Sequence, residues 1–561
     1  MLLGIDVGGT HTDAVIIGKN GVVTSAKVET CQEHLISSIN AVLQKIFATG
    51  LDRSICRINL STTLTTNAII EEKLEEVGIL ATSGPGLLPE TFNFDLGEHF
   101  HLLHGAIDHR GNRQQELDEA EVQKTIREIT EKGVKVFAVA GKFSSRNPEF
   151  EETLAAQAAK VADFVTIGHQ VSGQLNFPRR LATAYYNAAV WRRYTNFTDA
   201  IAASFAKFNL KAPLNILKAD GGTIDFENSR SRPVETILSG PAASVMGIIA
   251  LSAISEDAII LDIGGTTTDI AIFAQGTPLL DKNGASFANR KTSIRAIKTA
   301  SIGIGGDSLI AINNNGEISV GPQRQGAPLA FSGSAPTLID ACNVKGLCSL
   351  GDPEKSLFGC ARLAEKIPLE TSQLADIALK TALKTIHDKS LQLLDEINQK
   401  PVYTVAEIIH SKKIVPQKLF IMGAPAKVLA PDLEEIFTLE TVVPENFAVA
   451  NAVGAALTRP TMAAELFADT GKKQMFIPTL SYKKEIDRSY SITQAKEDLI
   501  CVLTEYLKEN HYINKTVPEI EIVTAEEFNM VDDYSIGSKS IRISCQIKPS
   551  LETDYLQGEK I

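Results

Sequence analysis

Positive charge is in deficit in this chain. Its 561 residues carry 55 Lys and Arg against 67 Asp and Glu, a formal net charge of −12, which excludes a surface built for general nucleic-acid or anionic-membrane binding. Cysteine is sparse and scattered: seven residues, at 31, 56, 342, 348, 360, 501 and 545, contain no C-x-x-C pair. Neither a disulfide framework nor a usual zinc or iron–sulfur pattern is written there. No uninterrupted apolar stretch approaches the roughly 18 residues of a membrane span, and the opening MLLGIDVGG has no basic leader, so the expectation is a cytoplasmic protein that does not engage a membrane. What remains is ordinary globular composition, 44% hydrophobic and 22% charged, in a chain long enough for several domains, since single cores stop growing at roughly 250–300 residues.

Against this background one pattern stands out. Ile5 to Ile16 (IDVGGTHTDAVI) returns 256 positions later as Leu261 to Ile272 (LDIGGTTTDIAI), with seven of twelve positions identical. In each copy an acid closes an apolar strand, two glycines make the turn and a hydroxyl run opens the next strand. Glycine adds no side-chain bulk, so the turn backbone can approach an anion closely and donate N–H groups to it. Either copy alone reads equally as a plain β-hairpin. The spaced pair predicts two similar halves facing each other, with a polyphosphate gripped from both sides in the cleft.

Periodicity predicts a helix over Leu35–Thr49, strands at Ile58–Ser61, Val77–Ala81 and Val134–Ala140, and a helix over Asp118–Lys132. Residues 1–190 thus read as one α/β lobe. A second lobe, 191–460, is expected to hold the strand Leu214–Leu217, the loop Asp220–Gly222, a helix over Pro241–Ile254, and an insertion at about 310–415 with a long helix, Ser372–Asn398. Residues 461–561 read as a small α+β appendage with a helix Gln494–Glu509 and strands Glu519–Val523 and Ser540–Ile547.

Two small-residue helices, Leu238–Ile249 and Pro444–Leu457, and a strand–glycine–helix segment at Leu419–Ala426 complete an ordered set: first phosphate loop, connecting helix, second phosphate loop, adenosine loop, second connecting helix. That order resembles the actin, sugar-kinase and heat-shock-chaperone ATPase superfamily, which implies a two-lobed α/β fold of duplicated ribonuclease-H-like domains. Within it the chain resembles the hydantoinase A and 5-oxoprolinase family over roughly residues 1–460. The resemblance rests on IDVGGTHTDAVI, Thr62–Ile70, Lys142–Glu149, Arg232–Pro241, Ile302–Leu309, Val320–Pro322 and Pro336–Ala341.

The resemblance implies ATP-dependent opening of cyclic amides such as lactams or hydantoins or, in carboxylase relatives, ATP-driven activation of a ketone or bicarbonate. It also implies a second, B-type subunit or a homo-oligomer. An unstrained lactam resists water, and phosphorylating its carbonyl oxygen supplies a better electrophile, so catalysis becomes positioning and charge neutralisation. Asp6 and Asp262, each ending a strand at the turn, are the candidate catalytic residues and the candidate Mg²⁺ holders through waters, with Asp262 also placed to orient a nucleophile. Nucleotide contacts are expected from Gly8, Gly9, Thr10, Thr12, Gly264, Gly265, Thr266, Thr267, Thr268, Gly305, Gly306, Gly423 and Ala424, while Asp13 and Asp269 pin the hairpins. His11 either donates to a phosphate or fills the space behind the turn. The chain departs from the family pattern at Leu60–Ser61, where relatives carry His-Gly, at the Met-Gly-Ala-Pro adenosine loop, at Gly305–Ser308 where a third glycine is common, and at Asp220, where Asn is usual.

Four of ten histidines fall among Glu98–His109. Two readings stand: His99 and His101 share a strand face and bind a second divalent metal, with Asp340 a further ligand on family resemblance alone, or the segment is a solvated strand edge with a turn at Asp108–Asn112. A small-molecule kinase and a nucleotide-dependent regulatory or protein-activating ATPase are the other functions the same scaffold permits.

Overall fold

The computed structural model describes all residues except 32–33, 49–53, 86–95, 282–283, 288–289, 400–412, 510–518, 533–534 and 556–561. Thr49, the expected end of the first helix, and 400–412 of the expected insertion lie outside the described residues; the helix itself runs Leu35–Phe47.

The apolar run Leu2–Val7 forms β1, buried at every position, and turns at the first glycine pair into β2, His11–Gly18, and then β3, Gly21–Glu29. β4, Arg57–Thr62, lies parallel to β1. The chain then leaves to build a separate sheet from β5 (Val77–Thr82), β6 (Phe100–Leu102), β7 (Val136–Gly141) and β8 (Phe164–Ile167), in the order β8-β7-β5-β6. It returns through β9, Leu214–Leu217, and β10, Thr223–Asp225, to the edge of the first sheet, whose order is β10-β9-β4-β1-β2-β3. This corrects the boundary expected at 190. The helix Phe177–Lys207 runs through that position, and β9 pairs with β4 instead of starting the second lobe.

The second sheet repeats the first. β11 (Ala258–Ile263) and β12 (Thr268–Ala274) are antiparallel, β13 (Thr299–Ile302) pairs antiparallel with β12, β14 (Lys418–Met422) lies parallel to β11, and β15 (Glu440–Val442) parallel to β14. Strand for strand and direction for direction, β13-β12-β11-β14-β15 matches β3-β2-β1-β4-β9. This is the duplicated, two-lobed α/β architecture that the repeat implies, of the actin-like kind that the resemblance implies.

Small residues join the lobes. The helices Ser239–Leu251 and Ala450–Leu457 cross so closely that a Cβ on Gly454 would lie 2.3 Å from Gly247 N, and a Cβ on Gly4 would lie 2.1 Å from Ala452 O. These helices share one buried core with Val15 and Ile17 of the first sheet and Ile260 and Phe273 of the second. The expected insertion packs its helices Leu338–Val344, Pro353–Ala364 and Thr371–Asn398 on the other face of the second sheet. Past 460 the α+β appendage has more strands than periodicity predicts: β16 (Ala463–Asp469), β17 (Gln474–Ile477) and β18 (Tyr482–Glu485) join β19 (Ile520–Asp532) and β20 (Ser535–Ile547) in the order β18-β17-β16-β20-β19. Leu499, Leu503 and Leu507, spaced four apart on the helix Ile492–Glu509, seal one face of that sheet.

Candidate functional site

The two glycine turns have the same construction. Gly8 N donates to His11 O at 3.0 Å, and Gly264 N donates to Thr267 O at 2.9 Å. Their tips meet: a Cβ on Gly265 would lie 3.2 Å from Thr10 Oγ1 and 2.8 Å from Asp307 Oδ2. Between them lies a cleft of ≈160 Å³ lined by Gly8, Gly9, Thr10 and His11 from one lobe and Gly264, Gly265, Thr266 and Thr267 from the other. Gly423, Ala424, Phe447 and Asn451 complete the wall. The enclosed part is smaller than the roughly 300–1,000 Å³ of a whole-ligand pocket, a size suited to the phosphate end of a nucleotide.

Four aspartates face this cleft in two register pairs, Asp6 opposite Asp13 and Asp262 opposite Asp269. Burial raises all four carboxyls. Asp6 is pushed up to about 7 by burial and then by the charge of Asp13, against a hydrogen bond from Ser61. Asp269 is pushed up to about 7 by burial and then by Asp262. Asp13 and Asp262 also lie above the ordinary value, through burial first. Asp6 Oδ1 and Asp13 Oδ1 are buried without a hydrogen-bond partner, whereas Asp262 Oδ2 accepts from Ser244 Oγ at 2.5 Å and Asn451 Nδ2 at 3.2 Å.

Lys27, which the sequence reading does not name, stands in this site. It sits opposite Asp13 in the β2–β3 register and places Nζ 2.8 Å from Asp13 Oδ2. The hairpin spacing was the available signal. His11 lines the cleft instead of filling the space behind the turn, and burial followed by the charge of Lys27 lowers its pKa, which favours the neutral ring.

Several expected contacts are corrected. Thr12 Oγ1 is buried against Thr30 Oγ1 at 2.9 Å, and Thr268 Oγ1 donates to Ile304 O at 2.7 Å, so both hydroxyls point into the sheet. Gly305 and Gly306 stand behind the second loop, with Gly306 N donating to Gly264 O at 2.9 Å and Gly305 N to Ser308 Oγ at 2.8 Å. They hold that loop and do not line the cleft. Asp340 is fully engaged in its own segment, accepting from Leu329 N at 3.0 Å, Ala330 N at 2.9 Å, Thr337 N at 2.9 Å and Ser356 Oγ at 2.6 Å.

Asp340 packs beside the second sheet, whereas His101 lies on β6 and His99 Nε2 faces Glu76 at 3.7 Å, so His99, His101 and Asp340 are not brought together. Asp108 closes a local turn, accepting from Arg110 N and Asn112 N at 2.8 Å each. Among the described residues no group of three or more His, Cys, Asp or Glu gathers tightly enough to hold a metal directly. Asp220, buried at the β9–β10 turn, accepts from Thr461 Oγ1 at 2.9 Å and from Gly222 N at 3.0 Å. Burial would raise its carboxyl, but the charges of Lys218 and Arg295 outweigh it and hold it below the ordinary value. Asp220 therefore ties the first lobe to the segment entering the appendage.

In sequence, 377 residues are 29% identical to the caprolactamase subunit alpha of Pseudomonas jessenii, covering 60% of this chain and 53% of that protein. A further 26% identity over 443 residues links it to the acetophenone carboxylase gamma subunit of Aromatoleum aromaticum, covering 69% of this chain and 58% of that protein. The matched chain thus spans little more than half the length of these curated relatives. In structure, nucleotide-free acetone carboxylase superposes with a TM-score of 0.75 at 16% identity, over 99% of this chain and 88% of that one. The ATP-dependent caprolactamase from Pseudomonas jessenii gives 0.71 at 20%, over 97% and 87%. Both share the fold. With the Hydantoinase/oxoprolinase family profile matching residues 180–464 and that of its N-terminal region residues 2–162, the chain belongs to the hydantoinase/oxoprolinase family.

Proposed function

We propose that this chain hydrolyses ATP to activate the carbonyl of a cyclic amide, a lactam or a hydantoin, for ring opening, together with a second, B-type subunit. One observation carries the reading: two equivalent glycine turns from duplicated lobes meet over four aspartates, Asp6 and Asp13 buried and Asp262 and Asp269 partly so. The backbone of the turns and the hydroxyls of Thr10, Thr266 and Thr267 border the phosphates, and Gly423–Ala424 with Phe447 border the adenosine.

The aspartates fit Mg²⁺. Two orphaned, buried carboxylate oxygens, and carboxyls raised by burial and then by mutual repulsion, are what a divalent cation relieves. Bound there, Mg²⁺ would neutralise charge on the transferring phosphoryl group. Asp6 and Asp262 are the residues that would hold the ion, through water. Asp262, fixed by Ser244 and Asn451, orients the nucleophile, Lys27 offsets phosphate charge, and neutral His11 donates a ring N–H to the phosphates. The test is ATP turnover across a panel of lactams, hydantoins and ketones. Stimulation by a lactam or hydantoin with release of the ring-opened acid is the expected result, and a flat response removes the reading.

A second reading draws on the two carboxylase relatives: the same cleft activates a ketone. Stimulation by ketones alone selects it. A stable phosphorylated product, seen by mass analysis, selects a kinase instead.

A further inference from the structure

A cavity of ≈900 Å³ lies away from the glycine turns and shares no lining residue with their cleft. It opens between the appendage sheet and the β5–β8 unit. Across the appendage sheet Arg542 stands opposite Phe467, Phe467 opposite Phe476, and Phe476 opposite Lys483. Directly opposed residues share a face. The alternating set, including Leu466, Met475, Ile477, Ile541 and Ile543, packs against the helix Ile492–Glu509, so the Arg542 row faces the other way, toward the first lobe.

From that lobe Arg146 reaches across. Its Cζ sits 4.5 Å from the Phe467 ring centroid, with Arg542 Cζ at 5.7 Å from the same ring. Two guanidiniums therefore converge on one ring from different units. Neither has a carboxylate within ion-pair distance among the described residues, and the Nε of each is buried without a hydrogen-bond partner. Asp469 and the half-buried Glu465 feel their charge from farther away. Burial, then the repulsion of Arg542, lowers the Arg146 pKa. Of the four acids lining the groove, Glu149 pairs with Arg113, Glu152 with Lys483 at 3.6 Å, and Asp469 accepts from Lys472 N at 3.0 Å, while Glu485 stands beside Lys484 at the outer edge strand.

The loop carrying Arg146 is held firmly. Arg180 donates to Lys142 O at 3.1 Å, Ser144 Oγ to Gly141 O at 3.0 Å, and Gly141 N to Glu151 at 2.6 Å. On the same sheet face as Arg542 the groove offers Phe476 and an exposed aromatic, Phe528, 59% accessible on β19. Two repelling, unpaired cations held in place beside aromatic carbon are stabilised by an anion, and the volume falls within the range of small-molecule sites.

We propose that this groove binds a small organic anion, a carboxylate or phosphate on an apolar body, with Arg146 and Arg542 clamping the charge and Phe476 and Phe528 covering the body. Such a ligand bridges the first lobe and the appendage. Because the groove shares no residue with the nucleotide cleft, it stands or falls separately from the proposed activity.

Calorimetric titration of the full chain with benzoate and, separately, with inorganic phosphate tests it. Saturable binding is expected, weakened at least tenfold by Arg146→Gln and by Arg542→Gln. Phe528→Ala should weaken benzoate and leave phosphate unchanged. Ser540→Asp adds a negative charge on the same sheet face, opposite Asp469 and Phe528, without removing a buried group, and should weaken both probes even where an arginine variant fails to fold. Tighter binding of one probe, lost in these variants, supports the site and identifies the anion. No saturable heat with either probe, or variants that all bind as the parent does, overturns it.

Discussion

In the first hairpin Asp13 faces Lys27 across the β2–β3 register at 2.8 Å, whereas in the second the matching partner of Asp269 is Ser301, and the carboxyl is pushed up to about 7. The strand-end acids differ in the opposite sense. Asp262 is gripped by Ser244 and Asn451, but Asp6 keeps an orphaned Oδ1. One copy is organised by charge and the other by hydrogen bonds from the two helices that join the lobes. The duplication preserved the turn, which needs glycine, and released the flanking positions, which only need to balance charge within the cleft as a whole.

The sharpest way to break this comparison is Asp262→Asn, which keeps volume and removes charge. Steady-state ATP hydrolysis should fall about 10²–10³-fold, with the far-UV spectrum unchanged; equal loss in Asp6→Asn and retained activity in Asp262→Asn would reverse the assignment. A buried acid outside the cleft supplies the contrast. Burial would raise the Glu151 carboxyl, but the hydrogen bond and charge of His169 and the charge of Arg180 outweigh it and hold it below the ordinary value of 4.5. Its stabilisation is therefore complete above about 4.5 and lost as pH falls through the lower folded value. Glu151→Gln should cost about 3 kcal/mol at neutral pH and flatten the acid limb of urea midpoints measured between neutral and acid pH.

Lys27→Met should raise the KM for ATP about tenfold while changing kcat less, because it removes a charge that the second hairpin never supplied. An unchanged KM would make Lys27 a strut for Asp13 alone. The smallest effect is expected from Thr12→Val, about 1 kcal/mol of stability from the lost Thr30 contact, with ATP kinetics intact; a KM shift matching that of Lys27→Met would return Thr12 to the phosphates.

Much of this site was legible in the residues. The repeat placed Asp6, Asp262 and both glycine turns, and they meet as the spacing implies. Lys27 was hidden because its role depends on a register partner, and Thr12 and Thr268 misled because alternation along a strand hides a hydroxyl as readily as it presents one. Gly305 and Gly306 look like a third phosphate loop in one dimension but are the backing of the second. Asp340 carries a family motif, yet its oxygens are taken up by backbone N–H groups of a segment about ten residues away in sequence.

By itself the sequence determined what local chemistry dictates: two glycine turns flanked by acids, two small-residue helices, and strands that alternate or run apolar. These follow from steric bulk and periodicity within a few residues. Only the tertiary structure decided that Leu214–Leu217 closes the first sheet, which aspartate has a counter-ion, and that Arg146 and Arg542 converge across a groove. Pairings between distant segments are set by which packed faces leave the fewest buried groups unsatisfied, a condition on the whole chain.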